Sequence, residues 1–479
     1  MKKITFIISV ILLNAGLLTA QTTFNKTQTL TLATGGNMPP EGDAPYPIAS
    51  ADLDADGHND LVVGTDLGGA IFWYKNDGIG NFSVQPNVTT TLPRVSDIVL
   101  ADIDGNMSID IIATSFTDNK LVYYPNSVSN PGTFGAEQIV SSTLLGAGDV
   151  DIVNLNGDTF PDLVVSVFNA DKVVWFANNG TGGFGSENLI TNAIIKPGSI
   201  DMLDIDNDND LDLVVANAVN QMDLPGQNTS VIEVFFNNSL TFTKDPNSVT
   251  DDKDYLFNVS FEDIDPTDNT SITSDILATD IFGDIYHYNK DDMGNYIETV
   301  ISSSIANPAS IGFYDLDLSG DGFKDIILSS GTNGTGNDLV WFKNNGAGSF
   351  SAEEVIDASQ NNTFKFTVKD FDNDGDLDIA STAYSDDQVN IFINQKYVLG
   401  VDEMSFLDGS IYPNPAKDHL FIKSSRDSVH EYRIYDLLGK DLLHGFIQNN
   451  HSIDISILNT GLYLLKIENT SSTFKFIKE

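Results

Sequence analysis

The chain has 479 residues, with 24 Lys and Arg against 68 Asp and Glu, for a formal net charge of −44. A hydrophobic share of 41% with 10% aromatics excludes a disordered acidic tail, and the length calls for several domains or a repeat array. The charge repels phosphate backbones and anionic lipid, so nucleic-acid and membrane-surface binding are not expected, and the lack of cysteine excludes disulfides, thiol nucleophiles and a lipoprotein anchor.

Lys2 and Lys3 lead an apolar run from Ile4 to Leu18, and Leu18-Thr19-Ala20 places a small residue ahead of Gln21. That order reads as a secretory signal over residues 1–20, cut before Gln21. The run is shorter than the ~20 residues a bilayer span requires, and no later run approaches that length, so no transmembrane span is expected.

From residue 21 to 397 the chain repeats with a period near fifty residues. Each repeat carries an acidic loop. The first offers Asp52, Asp54, Asp56 and Asp60, with His58 at position seven. The second offers Asp102, Asp104, Asn106 and Asp110, and the third Asn154, Asn156, Asp158 and Asp162. The fourth offers Asp204, Asp206, Asp208, Asp210 and Asp212. The fifth is stretched by four residues and runs from Asp263 through Asp265 to Asp275. The sixth offers Asp317, Ser319, Asp321 and Asp325, and the seventh Asp370, Asp372, Asp374, Asp376 and Asp378.

After each loop comes a short apolar strand, then an aromatic strand ending in asparagine. Examples are Trp73-Tyr-Lys-Asn76, Trp175-Phe-Ala-Asn178 and Trp341-Phe-Lys-Asn344. Glycine turns and an aromatic follow most of them, as in Gly78-Ile-Gly-Asn-Phe82. Short strands at this period predict one four-stranded sheet per repeat, and seven such sheets predict a seven-bladed β-propeller. The seventh repeat lacks its last strand. Thr22 to Leu30 resembles the missing piece, so the amino-terminal strand is expected to complete the last blade and close the ring.

Positions one, three, five and nine of a loop carry side-chain oxygens, and position seven lends a backbone carbonyl. Such oxygen-only, carboxylate-rich sets suit Ca²⁺, with glycine at position six (Gly57, Gly322, Gly375) allowing the sharp turn. An EF-hand is rejected, because position twelve falls on Val63, Ala113, Val165, Val215, Leu328 or Ser381 rather than on a bidentate Glu. Loops one, four and seven, with four carboxylates at the ligand positions, should bind best; loops three and five are expected to be weak or empty. With the strands and turns that follow them, these loops resemble FG-GAP/VCBS repeats, the family that includes the propeller of integrin alpha chains. The resemblance implies calcium held in the hairpin between the first two strands of a blade, serving mainly structure.

The composition changes at residues 398–409, read as a linker. Residues 410–479 hold 8 basic and 8 acidic groups, so the whole negative charge belongs to the part upstream. Alternating stretches such as His419-Leu-Phe-Ile-Lys423 predict a small Ig-like β-sandwich, making the chain all-β. Tyr412-Pro-Asn-Pro415, Tyr435-Asp-Leu-Leu-Gly439, Leu458-Asn-Thr-Gly461-Leu-Tyr463 and Lys475-Phe-Ile-Lys478, in that order, resemble the carboxy-terminal sorting domain of type IX secretion. That resemblance implies handling by the type IX secretion machinery, removal of the tail, and a location outside or on the outer-membrane surface of a Gram-negative bacterium.

Outside the tail the only histidines are His58 and His287, which gives little support to a His-centred triad or zinc site. Trp73, Trp175 and Trp341 occupy equivalent repeat positions and read as blade core rather than sugar platforms. Asn217 to Ser230 is an insertion in the fourth repeat. The sequence points to a calcium-stabilised binding or adhesion module with a protein or glycan ligand. A polysaccharide-active lyase or hydrolase on the same scaffold is the alternative.

Overall fold

The computed structural model describes residues 22–31, 44–218, 230–247, 249–253, 256–262, 264, 275–280, 282–291, 294–303, 305–316, 323–332, 338–346, 348–396, 409–424, 429–435, 440–448, 451–467 and 473–479. The expected signal over 1–20, most of the linker and most of the insertion after Asn217 lie outside these residues. One compact unit is Gln21–Lys396; a second contains Tyr397–Glu479.

Among the described residues the first unit holds seven antiparallel sheets and no α-helix. Sheet one runs Pro45–Ala51, Asp60–Thr65, Ile71–Asn76 and Phe82–Val84, each strand paired with the next. Sheets two to six repeat that order, the fourth gaining Thr250–Lys253 beside Ser230–Asn238. Sheet seven comprises Thr363–Lys369, Asp378–Ala383 and Gln388–Lys396. Its outer strand comes from the other end of the unit: Thr22–Thr31 pairs antiparallel with Gln388–Lys396, Thr22 opposite Lys396.

The first strands adjoin one another in chain order, Pro45–Ala51, Val95–Ala101, Ala147–Val153, Pro197–Leu203, Leu256–Glu262, Pro308–Tyr314 and Thr363–Lys369, and the last adjoins the first. The sheets therefore form a cycle, the arrangement of a propeller-like fold. Their second strands are buried along their full length, because each is covered on both faces. Leu61 and Val63 enter the core shared with sheet seven, while Val62 enters the core shared with sheet two. Seven such inter-sheet cores close the circle. Trp73, Trp175 and Trp341 lie within them, 4%, 8% and 4% exposed, so their rings fill the blades.

The tail forms two sheets, Gly409–Tyr412 with His419–Ser424 and Ser452–Asp454, and Asp441–Gln448 with Val429–Tyr435, Gly461–Ile467 and Thr473–Lys478. Leu420 and Ile453 from one and Ile434, Leu465 and Phe476 from the other share one core.

Candidate metal centres

The acidic loops join first strand to second in each sheet, and their shared backbone geometry is visible in five of them. Position four has positive φ at Ala55 (59°), Gly105 (75°), Gly157 (74°), Asn207 (60°) and Asn373 (61°). Position six does too, at Gly57 (92°), Met107 (70°), Thr159 (85°), Asn209 (74°) and Gly375 (96°). Glycine reaches this region without cost, whereas Met107 and the β-branched Thr159 are held there at a cost of roughly 1–3 kcal/mol each. The wrap is a property of the loop rather than of its glycines.

The wrap turns carboxylates inward. The position-one carboxylate accepts from the amides of positions five and six: Asp52 from Asp56 (3.1 Å) and Gly57 (3.0 Å), Asp102 from Asn106 (3.0 Å) and Met107 (2.8 Å), Asp204 from Asp208 (3.1 Å) and Asn209 (2.9 Å). In loop seven Asp370 accepts from Gly375 (3.1 Å). Carboxylate oxygens of Asp52, Asp54 and Asp56 lie within 4.8 Å of one another, as do those of Asp102, Asp104 and Asp110, of Asp204, Asp206 and Asp212, and of Asp370, Asp372 and Asp374. Four loops thus gather three acidic groups, and these clusters are able to hold a metal ion.

Several of these oxygens have no partner in the protein. Asp54 Oδ1, Asp370 Oδ1 and both oxygens of Asp376 are buried without a hydrogen bond. Asp376 is 2% exposed, and burial, followed by the charge of Asp374, pushes it up to about 8. In loop one the carboxylates are partly neutralised by Lys75, whose Nζ contacts Asp54 and lies 2.8 Å from Asp56.

The closing aspartate does a second job. Asp60 accepts from the Leu53 amide (3.0 Å) and the Asn76 amide (2.8 Å), tying its loop to the end of the third strand. Asp110, Asp162, Asp212, Asp325 and Asp378 make the same pair of bonds. Burial pushes Asp60 and Asp378 up to about 7 and Asp110 and Asp212 up to about 6 despite those amides, and neighbouring loop carboxylates add to the rise.

In five of the sheets the asparagine at the end of the third strand grips the preceding sheet. Asn76 Nδ2 donates to Asn59 O (3.0 Å) in its own loop and to Phe371 O (2.8 Å) in loop seven. Asn126 reaches Leu53 O (2.7 Å), Asn178 Ile103 O (2.9 Å), Asn344 Ile264 O (3.0 Å) and Asn394 Leu316 O (3.3 Å). Loop and ring are thereby coupled at every one of these junctions.

Loop six differs from the sequence reading. The amide bonded to Asp325 belongs to Leu316 (3.1 Å), so position one is Asp315 and the loop is two residues longer than the stretch from Asp317. Asp315 was missed; the tripeptide Asp315-Leu-Asp317, which mirrors Asp52-Leu-Asp54, is the signal that marks it. Asp317, Ser319 and Asp321 lie outside the described residues, as do Asp263 and Asp265 of loop five. In loop three the Asn156 side-chain Nδ2 donates to Asp158 Oδ2 (2.9 Å). The His58 ring points to sheet seven, where Asn373 Nδ2 lies 2.9 Å from its Nδ1, and His287 Nε2 lies 2.9 Å from Asp275 Oδ1.

Residues 52–113, 154–215 and 317–381 match the FG-GAP-like repeat family, and residues 410–479 match the secretion system C-terminal sorting domain. Human integrin alpha-7 is 30% identical over 149 residues, which are 27% of this chain and 12% of that protein, so the chain spans only a small part of this relative. Among solved structures, a lectin from Agrocybe aegerita described as recognising non-reducing terminal N-acetylglucosamine is similar at a TM-score of 0.47 and 18% identity, over 69% of this chain and 84% of that one. Virginiamycin B lyase from Staphylococcus aureus is similar at 0.46 and 14%, over 78% and 99%. The sorting domain marks the chain for export to the cell surface or outside by type IX secretion. No described helix is long and apolar enough to cross a membrane.

Proposed function

We propose that this chain, with its matches to FG-GAP-like repeats and to a type IX sorting domain, is an exported, calcium-stabilised propeller acting as a binding or adhesion module. In this reading residues 1–20 are a cleaved signal, 21–397 the seven blades, 398–409 a linker and 410–479 the sorting domain. The observation that carries calcium is the set of buried carboxylate oxygens with no partner, Asp54 Oδ1, Asp370 Oδ1 and the Asp376 pair, inside loops of hard oxygen donors. A carboxylate buried at this depth costs several kcal/mol unless a charge compensates it, and a divalent ion in the loop supplies that charge. Asp370, Asp372, Asp374, Asp376 and Asp378 would hold the ion in loop seven. Asp52, Asp54, Asp56 and Asp60 would do so in loop one, where Lys75 competes with it.

In the described loops the position-one and closing aspartates are engaged with backbone amides, and the carboxylate oxygens left over face one another across the space an ion would take. The metal therefore serves to brace sheet junctions, and the exported ring serves as a platform for a ligand. The test is adhesion of cells that display the chain, compared with cells lacking it, to protein-coated and polysaccharide-coated surfaces in calcium and in chelator. Calcium-dependent adhesion to either surface is expected; equal adhesion by both cell types would overturn the reading.

A further inference from the structure

The acidic loops occupy one end of the ring. The beginnings of the first strands and the ends of the second strands lie at the other, and there a cavity of about 580 Å³ opens. All seven sheets contribute to its wall. One position of the repeat contributes to its shape in six of the sheets, the second residue of the first strand. That residue is Ser96, Gly148, Gly198 and Ala309 in sheets two, three, four and six, but Tyr46 and Phe364 in sheets one and seven. The small residues of those four sheets leave space that the rings of sheets one and seven bound.

Five aromatic side chains line this space, Tyr46, Phe116, Phe168, Phe364 and Tyr384. Each is half-buried, and none belongs to an inter-sheet core. They form two groups: Phe116 and Phe168, 5.8 Å apart, and Phe364 with Tyr46 at 5.7 Å and Tyr384 at 5.1 Å. Arg94, the one arginine in the first 409 residues, lies 4.5 Å over the Phe116 ring and 3.1 Å from Asp66, which accepts from the Tyr384 hydroxyl at 2.7 Å. That chain of contacts fixes the rim across sheets seven, one and two. Lys365 and Asp149 line the same space. Burial alone would lower the Lys365 ammonium, but the carboxylates of Asp97 and Asp149 outweigh it and keep the group charged. No described residue pairs with its Nζ, whereas Asp149 Oδ2 is tied to the Ile200 amide at 3.0 Å.

We propose that this cavity binds the end of a neutral glycan chain, with sugar rings stacked on the two aromatic groups and hydroxyls bonded to Lys365 and Asp149. A pyranose has an apolar C–H face for aromatic rings and an edge of hydroxyls that both donate and accept, matching a wall that mixes rings with an ammonium and a carboxylate. An anionic polymer meets the field of a chain at −44, and a purely apolar ligand offers no hydrogen-bonding partner to the Lys365 ammonium or the Asp149 carboxylate. A hole ringed by all seven sheets admits a chain end rather than an extended peptide, which needs a groove or a free strand edge.

The inference rests on the binding-module reading and deepens it. Its test uses the full chain and a set of neutral oligosaccharides from cellulose, mannan, xylan and β-1,3-glucan, with affinity read by calorimetry. One or more should bind, and Phe168→Ala or Phe364→Ala should weaken that binding by about tenfold with melting unchanged. Phe282→Ala, which removes an exposed ring at the same end outside the cavity, should leave it intact. Lys365→Met should weaken binding as well. Binding that survives both phenylalanine substitutions, or no binding to any of the four sets, overturns the proposal. If the natural chain binds none of the four sets while displaying cells still adhere to protein-coated surfaces, the proposal is overturned and the binding-module reading stands. Equal adhesion, to both kinds of surface, by cells displaying the natural chain and cells lacking it would overturn both.

Discussion

Asn76→Ala is the substitution that most directly tests how the ring is held. The Asn76 side chain is fully buried and makes three hydrogen bonds: its Nδ2 donates to Asn59 O and Phe371 O, and its Oδ1 accepts from the Gly78 amide at 3.1 Å. Alanine removes all three and strands two carbonyls and an amide. At about 1 kcal/mol per bond the loss is about 3 kcal/mol, with desolvation of the orphaned groups adding to it. For a unit of this size that corresponds to a melting point lower by about 4 °C. Asn76→Asp is the sharper variant. It keeps an acceptor for Gly78 but places carboxylate oxygen against two carbonyls, in a pocket already holding Asp60, so it should cost more than alanine. Thermal unfolding followed by circular dichroism at saturating calcium gives the comparison. If Asn76→Asp were as stable as the natural chain, the amide would not be bridging sheets one and seven, and the account of the third-strand asparagines would fail.

Asp372→Ala should lower melting in calcium by an amount that vanishes in chelator, since a site at a hundredfold excess over its dissociation constant contributes about 2.7 kcal/mol; equal losses with and without calcium would refute the role. Deleting Thr22 to Thr31 should expose the edge strand Gln388–Lys396 and drive aggregation, read by light scattering; an unchanged monomer would count against closure by this strand. Burial, then the charges of Asp201 and Asp149, push Asp151 up to about 7, so the native state holds its proton more tightly than the unfolded chain does, and stability should fall as pH rises from about 4 through 7, by on the order of 3 kcal/mol. Between pH 6 and 8.5 in saturating calcium the melting point of the natural chain should drop relative to Asp151→Asn; parallel curves would refute it. Removing Ser410 to Glu479 should leave the product in the periplasm, and mass spectrometry of cell fractions would show a tail-less chain outside if this were wrong.

The repeat was legible because its signals are local: a loop of fixed aspartate spacing, then an asparagine at the end of a strand, recur within one unit of sequence. Closure by Thr22 to Thr31 was legible from the missing strand of the seventh repeat. Loop six was misplaced because two added residues shift Asp315 out of the spacing, and only the bond from Leu316 to Asp325 restores the register. The role of the third-strand asparagines was hidden, since Asn76 meets Phe371 across nearly the whole unit. The cavity was hidden for a similar reason. Its five rings come from four repeats, yet Phe116, Phe168 and Tyr384 all directly follow a second strand, and Tyr46 and Phe364 are both second in a first strand. Stacking the repeats by strand rather than by loop would have aligned them.

The strand that completes sheet seven also sets an order of assembly. Thr22 leaves the ribosome early and its partner Lys396 late, so the first six sheets can form while this segment has nothing to pair with. The last event is a long-range one, with the largest loop to close and the slowest entropy to repay. Until it happens, both the early strand and the waiting edge are open to the matching parts of a neighbouring copy. Two chains that exchange these segments would bury the same hydrogen bonds as one chain that closes on itself. Crowding during synthesis or passage therefore bears directly on yield: dilute chains close singly, and concentrated ones are drawn toward linked pairs that hold every native contact except independence.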